Sequence, residues 1–233
     1  MDTMTDFSHI EGIIWDLDDT LYTVTPALKT SMRESRARAV VKMGYYISFE
    51  EALRLSEESQ EKYRLTFKIL SDMFDIQKTD LHIPFHAEMD HTVTTICPDL
   101  PSAFAAHPHM KHSLMTHASR DWAMRMLDHM GIADFFDPKA VIGLEDIDFE
   151  HKHESDRATK TCLNLIGVDA NKAAFTEDRD WNLTIPHEMG LTTILIDHPS
   201  QPIDLPTHVH HRFDNATHFM NSLPSAKTLK DVG

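Results

Sequence analysis

Two carboxylates two residues apart, Asp16 and Asp18, stand directly behind the apolar run Ile10 to Trp15. That run is short and rich in β-branched residues, so it reads as a buried strand. Charge at the end of a core strand destabilises a fold unless something binds there. Paired carboxylates at the carboxyl end of an α/β strand suit a divalent cation and a nucleophile. Two further runs end in the same way. Ser113 to Thr116 closes on a hydroxyl, and Ala173 to Thr176 closes on Glu177 and Asp178. Ligands of open α/β sheets sit outside the carboxyl ends of the strands, so the three runs point to one site.

The elements that must position these groups are legible in outline. Helical spacing begins at Pro26 and stops near Gly44. It resumes at Phe49, and a stretch from Tyr63 to Phe74 turns Leu65, Ile69, Leu70 and Met73 to one face. Residues 23–95 therefore read as a helical insert. Beyond Pro98, strand and helix alternate. Strands are expected at 113–116, 140–142, 173–176 and 192–196. Helices are expected at about 122–130, capped by Ser119, and at 156–166 and 183–189, with stops at Gly131, Gly167 and Gly190. This order implies a doubly wound, Rossmann-like parallel sheet with helices on both faces. The expected division is an α/β core of 1–22 and 96–200, a helical cap of 23–95, and a mostly irregular tail of 201–233. Tyr45, Tyr46, Phe67 and Phe74 read as core residues of the cap.

Composition narrows the function classes. The chain has 233 residues, with 37 acidic against 22 basic and a formal net charge of −15. This argues against a nucleic-acid binder, since phosphate backbones need a basic face. Two cysteines, Cys97 and Cys162, form no disulfide framework and fit a reducing, cytoplasmic setting. No leader is expected from the first six residues, and no apolar run reaches membrane-spanning length. The seventeen histidines include His107/His109, His151/His153 and His210-His211. They lack zinc-site spacing and read as structural or solvated.

The run Asp16-Leu17-Asp18-Asp19-Thr20-Leu21-Tyr22 resembles the signature of the haloacid dehalogenase superfamily. Phosphatases of that superfamily carry Asp-x-Asp-x-Thr followed by an apolar residue. The resemblance makes Asp16 the nucleophile and Asp18 the general acid. It makes Thr116 the phosphoryl-binding hydroxyl and Lys152 the lysine that neutralises phosphate. Glu177-Asp178 followed by Asn182 resembles the acidic fourth motif, with Asp178 on Mg²⁺ and Glu177 beside it or acting through water. The metal ligands it implies are Asp16, Asp18, Glu177 and Asp178, and the substrate contacts are Thr20, His117 and Asn182. Three residues depart from the pattern: His117 where asparagine is usual in the related nucleotidases, His153 where proline is usual, and Arg179 where a small residue is usual.

The motif order, the insert after the first motif, Asn182 and the run Gly190 to Leu195 look most like the pyrimidine 5′-nucleotidase branch. The insert lacks that branch's Gly-rich substrate segment between 60 and 75. The implied activity is Mg²⁺-dependent hydrolysis of a small phosphomonoester, a nucleoside 5′-monophosphate, through an aspartyl-phosphate. Rival readings are a phosphomutase or a sugar-phosphate phosphatase of the same superfamily, a haloalkanoate dehalogenase, and a non-catalytic binding protein. Asp18 argues against the dehalogenase, which normally lacks a second acidic residue.

Overall fold

The computed structural model describes residues 6–63, 67–197 and 205–224. Leu65, residues 1–5 of the leader reading, and 198–204 and 225–233 of the core boundary and tail lie outside them. Strand β1 (Gly12–Trp15) is buried along its whole length, as its unbroken apolar run requires. Four helices follow: α1 (Pro26–Lys42), α2 (Phe49–Tyr63), α3 (Lys68–Phe74) and α4 (Lys78–Ala87). After α5 (Leu100–Ala105) the chain alternates through β2 (Lys111–Met115), α6 (Arg120–His129), β3 (Val141–Ile142), α7 (Arg157–Ile166) and β4 (Ala173–Glu177). It closes with α8 (Thr184–Glu188), β5 (Thr192–Ile196), β6 (His211–Phe213) and α9 (Ala216–Ser222).

The six strands form one parallel sheet in the order β3-β2-β1-β4-β5-β6. This is a doubly wound α/β sheet, with its reversal of strand order at β1 and β4. Trp15 pairs in register with Leu114 on β2 and Thr176 on β4. The carboxyl ends of the three strands are therefore level, and Asp16 sits between the ends of its two neighbours.

The expected strands and helices of the core hold to within two or three residues, and the caps explain why. The Ser119 hydroxyl accepts from Trp122 N at 3.2 Å and starts α6. Gly167 adopts φ 61°, a left-handed conformation that ends α7. The insert docks on the core through His82, whose Nε2 lies 3.0 Å from Glu145 Oε2. Arg125 of α6 also donates to the carbonyls of His86 and Met89. Of the expected cap aromatics, Tyr45, Phe67 and Phe74 pack partly buried against the core, but Tyr46 is fully exposed.

The described part of the tail, 205–224, holds two short elements. It carries β6, which extends the sheet, and α9, capped by Asn215 Oδ1 accepting from His218 N at 2.9 Å. Three half-buried residues show no alternation, and seven residues span too few turns for periodicity to register. Phe219 of α9 is nevertheless fully buried, with its ring 5.7 Å from Phe7, 5.9 Å from Trp15 and 5.3 Å from Phe213. The tail thus completes the core beneath β1. Phe219→Ala is expected to lower unfolding stability by about 3–5 kcal/mol. Urea denaturation checks this, and a loss under about 1 kcal/mol would contradict the tail's place in the core.

Candidate active site

Asp16 leaves β1 with its backbone N–H donating to Thr176 O at 3.0 Å, so the sheet ladder fixes its position. The chain then turns sharply. Asp19 adopts φ 59°, a left-handed conformation that aspartate tolerates better than most residues. Its carboxylate accepts from Val24 N at 2.6 Å and closes the turn. Inside the turn, Thr20 Oγ1 donates to Asp16 Oδ2 at 2.9 Å. Thr20, expected to contact substrate, thus also orients the carboxylate of Asp16.

Lys152 is only 2% exposed, and its Nζ donates to Asp16 Oδ1 and, at 2.9 Å, to Glu177 Oε1. It arrives on the loop between β3 and α7, where Asp148 and Phe149 both have positive φ. A β-turn follows in place of the usual proline. Glu154 N donates to His151 O at 2.9 Å, and His151 N donates to Glu154 Oε2 at 2.8 Å. His117 supports the same loop, with Nε2 accepting from Lys152 N at 3.1 Å. That bond leaves the ring proton on Nδ1 of the neutral imidazole. Burial, with Lys152 next, lowers the His117 pKa to about 3, so the ring stays neutral.

Glu177, at the end of β4, is tied on both oxygens. Oε1 accepts from Lys152 and from Asn182 Nδ2 at 2.7 Å, and Oε2 accepts from Arg179 N at 2.7 Å. Asn182, also expected at the substrate, therefore orients Glu177. Oxygen atoms of Asp16, Glu177 and Asp178 lie within 4.8 Å of one another. Asp18 is not in that group. Its Oδ1 accepts from Tyr22 Oη, which in turn accepts from Trp122 Nε1 at 3.3 Å. Its Oδ2 lies 3.5 Å from Thr116 Oγ1, and that hydroxyl also accepts from Ala118 N at 3.0 Å. Asp18 was expected to ligate metal through the same cluster, but its carboxylate points away to Tyr22 and Thr116.

Tyr22 and Trp122 escaped the sequence reading. The available signal was spacing: four residues separate Asp18 from Tyr22, one turn of a tight loop. Arg179, which stands where a small residue is usual, pairs through Nε with Asp178 Oδ2 at 2.8 Å.

The electrostatics separate the two aspartates. Burial raises the Asp16 pKa to about 7, against the opposing pull of Lys152. Burial, with Glu177 and Asp16 adding to it, raises Asp178 to about 8. Burial also raises Asp18, opposed by its bonds from Tyr22 and Trp122. Burial would lower Lys152, but Asp16 and Glu177 outweigh it and hold the ammonium charged. Three clustered carboxylates face one buried lysine and one half-exposed arginine, so negative charge is in excess. An all-oxygen donor set with excess negative charge fits a hard divalent cation. Among the described residues no histidine joins a metal-holding group.

A cavity of about 670 Å³ opens beside the carboxylates, between core and insert. Asp18 and His117 line it from the core, and Phe67, Leu81 and Phe85 line it from the insert. The family described as haloacid dehalogenase-like hydrolase matches residues 13–196. The chain belongs to that family. No curated protein is matched by the chain. Among solved structures, a HAD phosphatase from Thermococcus onnurineus aligns with TM-score 0.59 at 16% identity, over 91% of this chain and 97% of its own. The L-2-haloacid dehalogenase from Xanthobacter autotrophicus, with chloropropionic acid covalently bound, aligns with TM-score 0.55 at 14% identity, over 91% and 97%. A HAD family hydrolase from Deinococcus radiodurans R1, with bound phosphate and sodium, aligns with TM-score 0.55 at 12% identity, over 93% and 99%. At these identities the likeness establishes the haloacid dehalogenase fold and leaves the reaction to the residues.

The raised carboxyls have a consequence for stability. Unfolded aspartates titrate near 3.9, whereas Asp16 and Asp178 hold protons to about 7 and 8 in the metal-free fold. The folded state then binds more protons than the unfolded state between those values. Stability falls as pH rises through that window and levels off above it. A divalent cation takes the place of those protons. Added Mg²⁺ is therefore expected to raise the unfolding temperature more at about pH 8 than at about pH 5.5. Thermal scanning at both values checks this, and an equal rise at both would contradict it.

Proposed function

We propose that the chain is a Mg²⁺-dependent phosphatase that hydrolyses a small phosphomonoester through a phosphorylated Asp16. The observation that carries this reading is the pairing of two carboxyls in different settings. Asp16 lies against Lys152 and the acidic cluster, and Asp18 is held apart by Tyr22 beside Thr116. A dehalogenase needs the first carboxylate alone. A phosphatase needs a second carboxyl to protonate the leaving oxygen.

Asp16 is aligned for attack by Thr20 and Lys152, which occupy one of its oxygens each. In-line attack forms the bond from Asp16 to phosphorus as the ester oxygen departs. Tyr22 blocks Oδ1 of Asp18, so the acidic proton belongs on Oδ2, the oxygen nearer Thr116. Burial keeps that proton in place at a pH where a free aspartate would lose it. Once the leaving group has taken it, the Asp18 carboxylate can deprotonate the water that cleaves the aspartyl-phosphate. Thr116 Oγ1 and Lys152 Nζ supply donors to the transferring oxygens. The cation, held by Asp16, Glu177 and Asp178, would neutralise phosphate charge. The helical insert covers the site and would shield it from bulk water.

The nucleotidase-like stretches, Asn182 and the run 190–195, make a pyrimidine nucleoside 5′-monophosphate one of the compounds to assay. A cytoplasmic setting accords with the two free cysteines, Cys97 and Cys162. Among the described residues no helix is long and apolar enough to cross a membrane. Asp16→Asn is expected to lose on the order of 10³-fold or more in phosphate release, and Asp18→Asn on the order of 10²- to 10⁴-fold. Circular dichroism should show both variants folded. Full activity in a folded Asp16→Asn protein would refute the reading.

A further inference from the structure

Arg36 of α1 stands in the wall of the 670 Å³ cavity that holds Asp18 and His117. No carboxylate pairs with it among the described residues. Its guanidinium carbon lies over the Phe85 ring, 4.4 Å from the ring centre. One N–H meets the carbonyl of Met32 at 3.3 Å, and the other donors have no protein acceptor among the described residues. Burial alone lowers its pKa to about 10, and no carboxylate counteracts this. Removing a guanidinium from water without a counter-ion is unfavourable, and partly buried charges are normally paired.

The rest of the wall has the same sign. Lys68 and Lys78 also line the cavity, and apart from Asp18 its one acidic residue is Asp72, already paired with Lys68 at 2.8 Å. Lys78 has no carboxylate partner among the described residues. Three cations around one cavity oppose the trend of a chain with net charge −15. With Lys68 paired to Asp72, Arg36 and Lys78 against Asp18 leave the wall with an excess of one positive charge, and these cations are separate from Lys152, which belongs to Asp16 and Glu177.

We infer that the substrate's leaving group carries a second anionic group, a carboxylate or a second phosphate, which Arg36 receives on its planar fork while Asp16 attacks the phosphoryl group. A guanidinium stacked on an aromatic ring and free along its edge is the geometry that binds such oxyanions in bidentate fashion. Phe67, Leu81 and Phe85 then pack the carbon frame between the two anions. This inference rests on the phosphatase reading and refines it. A neutral nucleoside would leave Arg36 without a counter-ion, so acidic phosphomonoesters rank above UMP.

The test compares phosphate release with Mg²⁺ from 3-phosphoglycerate and fructose 1,6-bisphosphate against UMP and glucose 6-phosphate. Wild type and Arg36→Gln are assayed in parallel. The same four compounds are titrated calorimetrically into Asp16→Asn protein, with and without Arg36→Gln. The acidic pair should exceed the neutral-leaving pair in kcat/KM by on the order of 10- to 100-fold. Arg36→Gln should erase that margin through KM and leave the neutral-leaving pair unchanged. The stronger of the two acidic compounds distinguishes a carboxylate from a phosphate as the second anion. Equal rates for UMP, or a uniform loss on all four substrates in Arg36→Gln, would overturn the inference and leave the phosphatase standing. Arg36-dependent binding of the acidic compounds without turnover would keep the inference and overturn the phosphatase. Absence of Arg36-dependent binding would overturn the inference whatever the rates.

Discussion

The buried ammonium of Lys152, held between Asp16 and Glu177, is the interaction on which the site depends. Without it, neighbouring strands would end in opposed carboxylates inside a desolvated pocket, and the two would repel at short range. The sheet order makes the arrangement possible. β1 and β4 are adjacent and level, so Asp16 and Glu177 emerge side by side. Lys152 comes from a loop beyond β3, at the far side of the sheet, and must be carried over the strand ends. Two left-handed residues, Asp148 and Phe149, bend that loop, and the bond from Lys152 N to His117 anchors its end. Backbone conformations of this kind persist where surrounding contacts over-determine them. Here His117 and Glu154 hold the loop, and Asn182 and Thr20 orient the carboxylates that Lys152 meets.

The charges fall into two zones. The inner zone, at the strand ends, has an excess of carboxylate and suits a cation. The outer zone, in the cavity under the insert, has an excess of guanidinium and ammonium and suits an anion. Arg179 marks the border, pairing with Asp178 at the rim. Asp18 sits at the junction, turned out of the carboxylate cluster by Tyr22 and toward Thr116. In the proposed reaction, a phosphate held between the zones would meet Asp16 from one side and Asp18 from the other. This separation gives two aspartates two residues apart different surroundings.

The parallel sheet was legible in the sequence because each core strand is a short apolar run ending in a polar residue. Asp16, Thr116 and Glu177-Asp178 could be placed at one edge before any coordinates. Lys152 was reachable through family resemblance, although nothing in its own loop announces burial. What escaped were groups whose roles arise from tertiary contact. The bonds of Thr20 to Asp16 and of Asn182 to Glu177 are not announced by their motifs. Tyr22 reads as an apolar continuation, yet its hydroxyl directs Asp18. Arg36 is one of several arginines on a polar helix, and only the cavity distinguishes it from Arg33 or Arg38, which pair with Glu57 and Glu34. The tail was lost because β6 and α9 are too short to display a period.

The most direct measurement is acid-quench mass spectrometry of the protein during turnover of a phosphomonoester with Mg²⁺. The account predicts a phosphoryl group on the peptide containing Asp16, assignable to that carboxylate and absent from the Asp16→Asn protein. A phosphoryl group on any other residue, or steady turnover with the Asp16 peptide never modified, would contradict it.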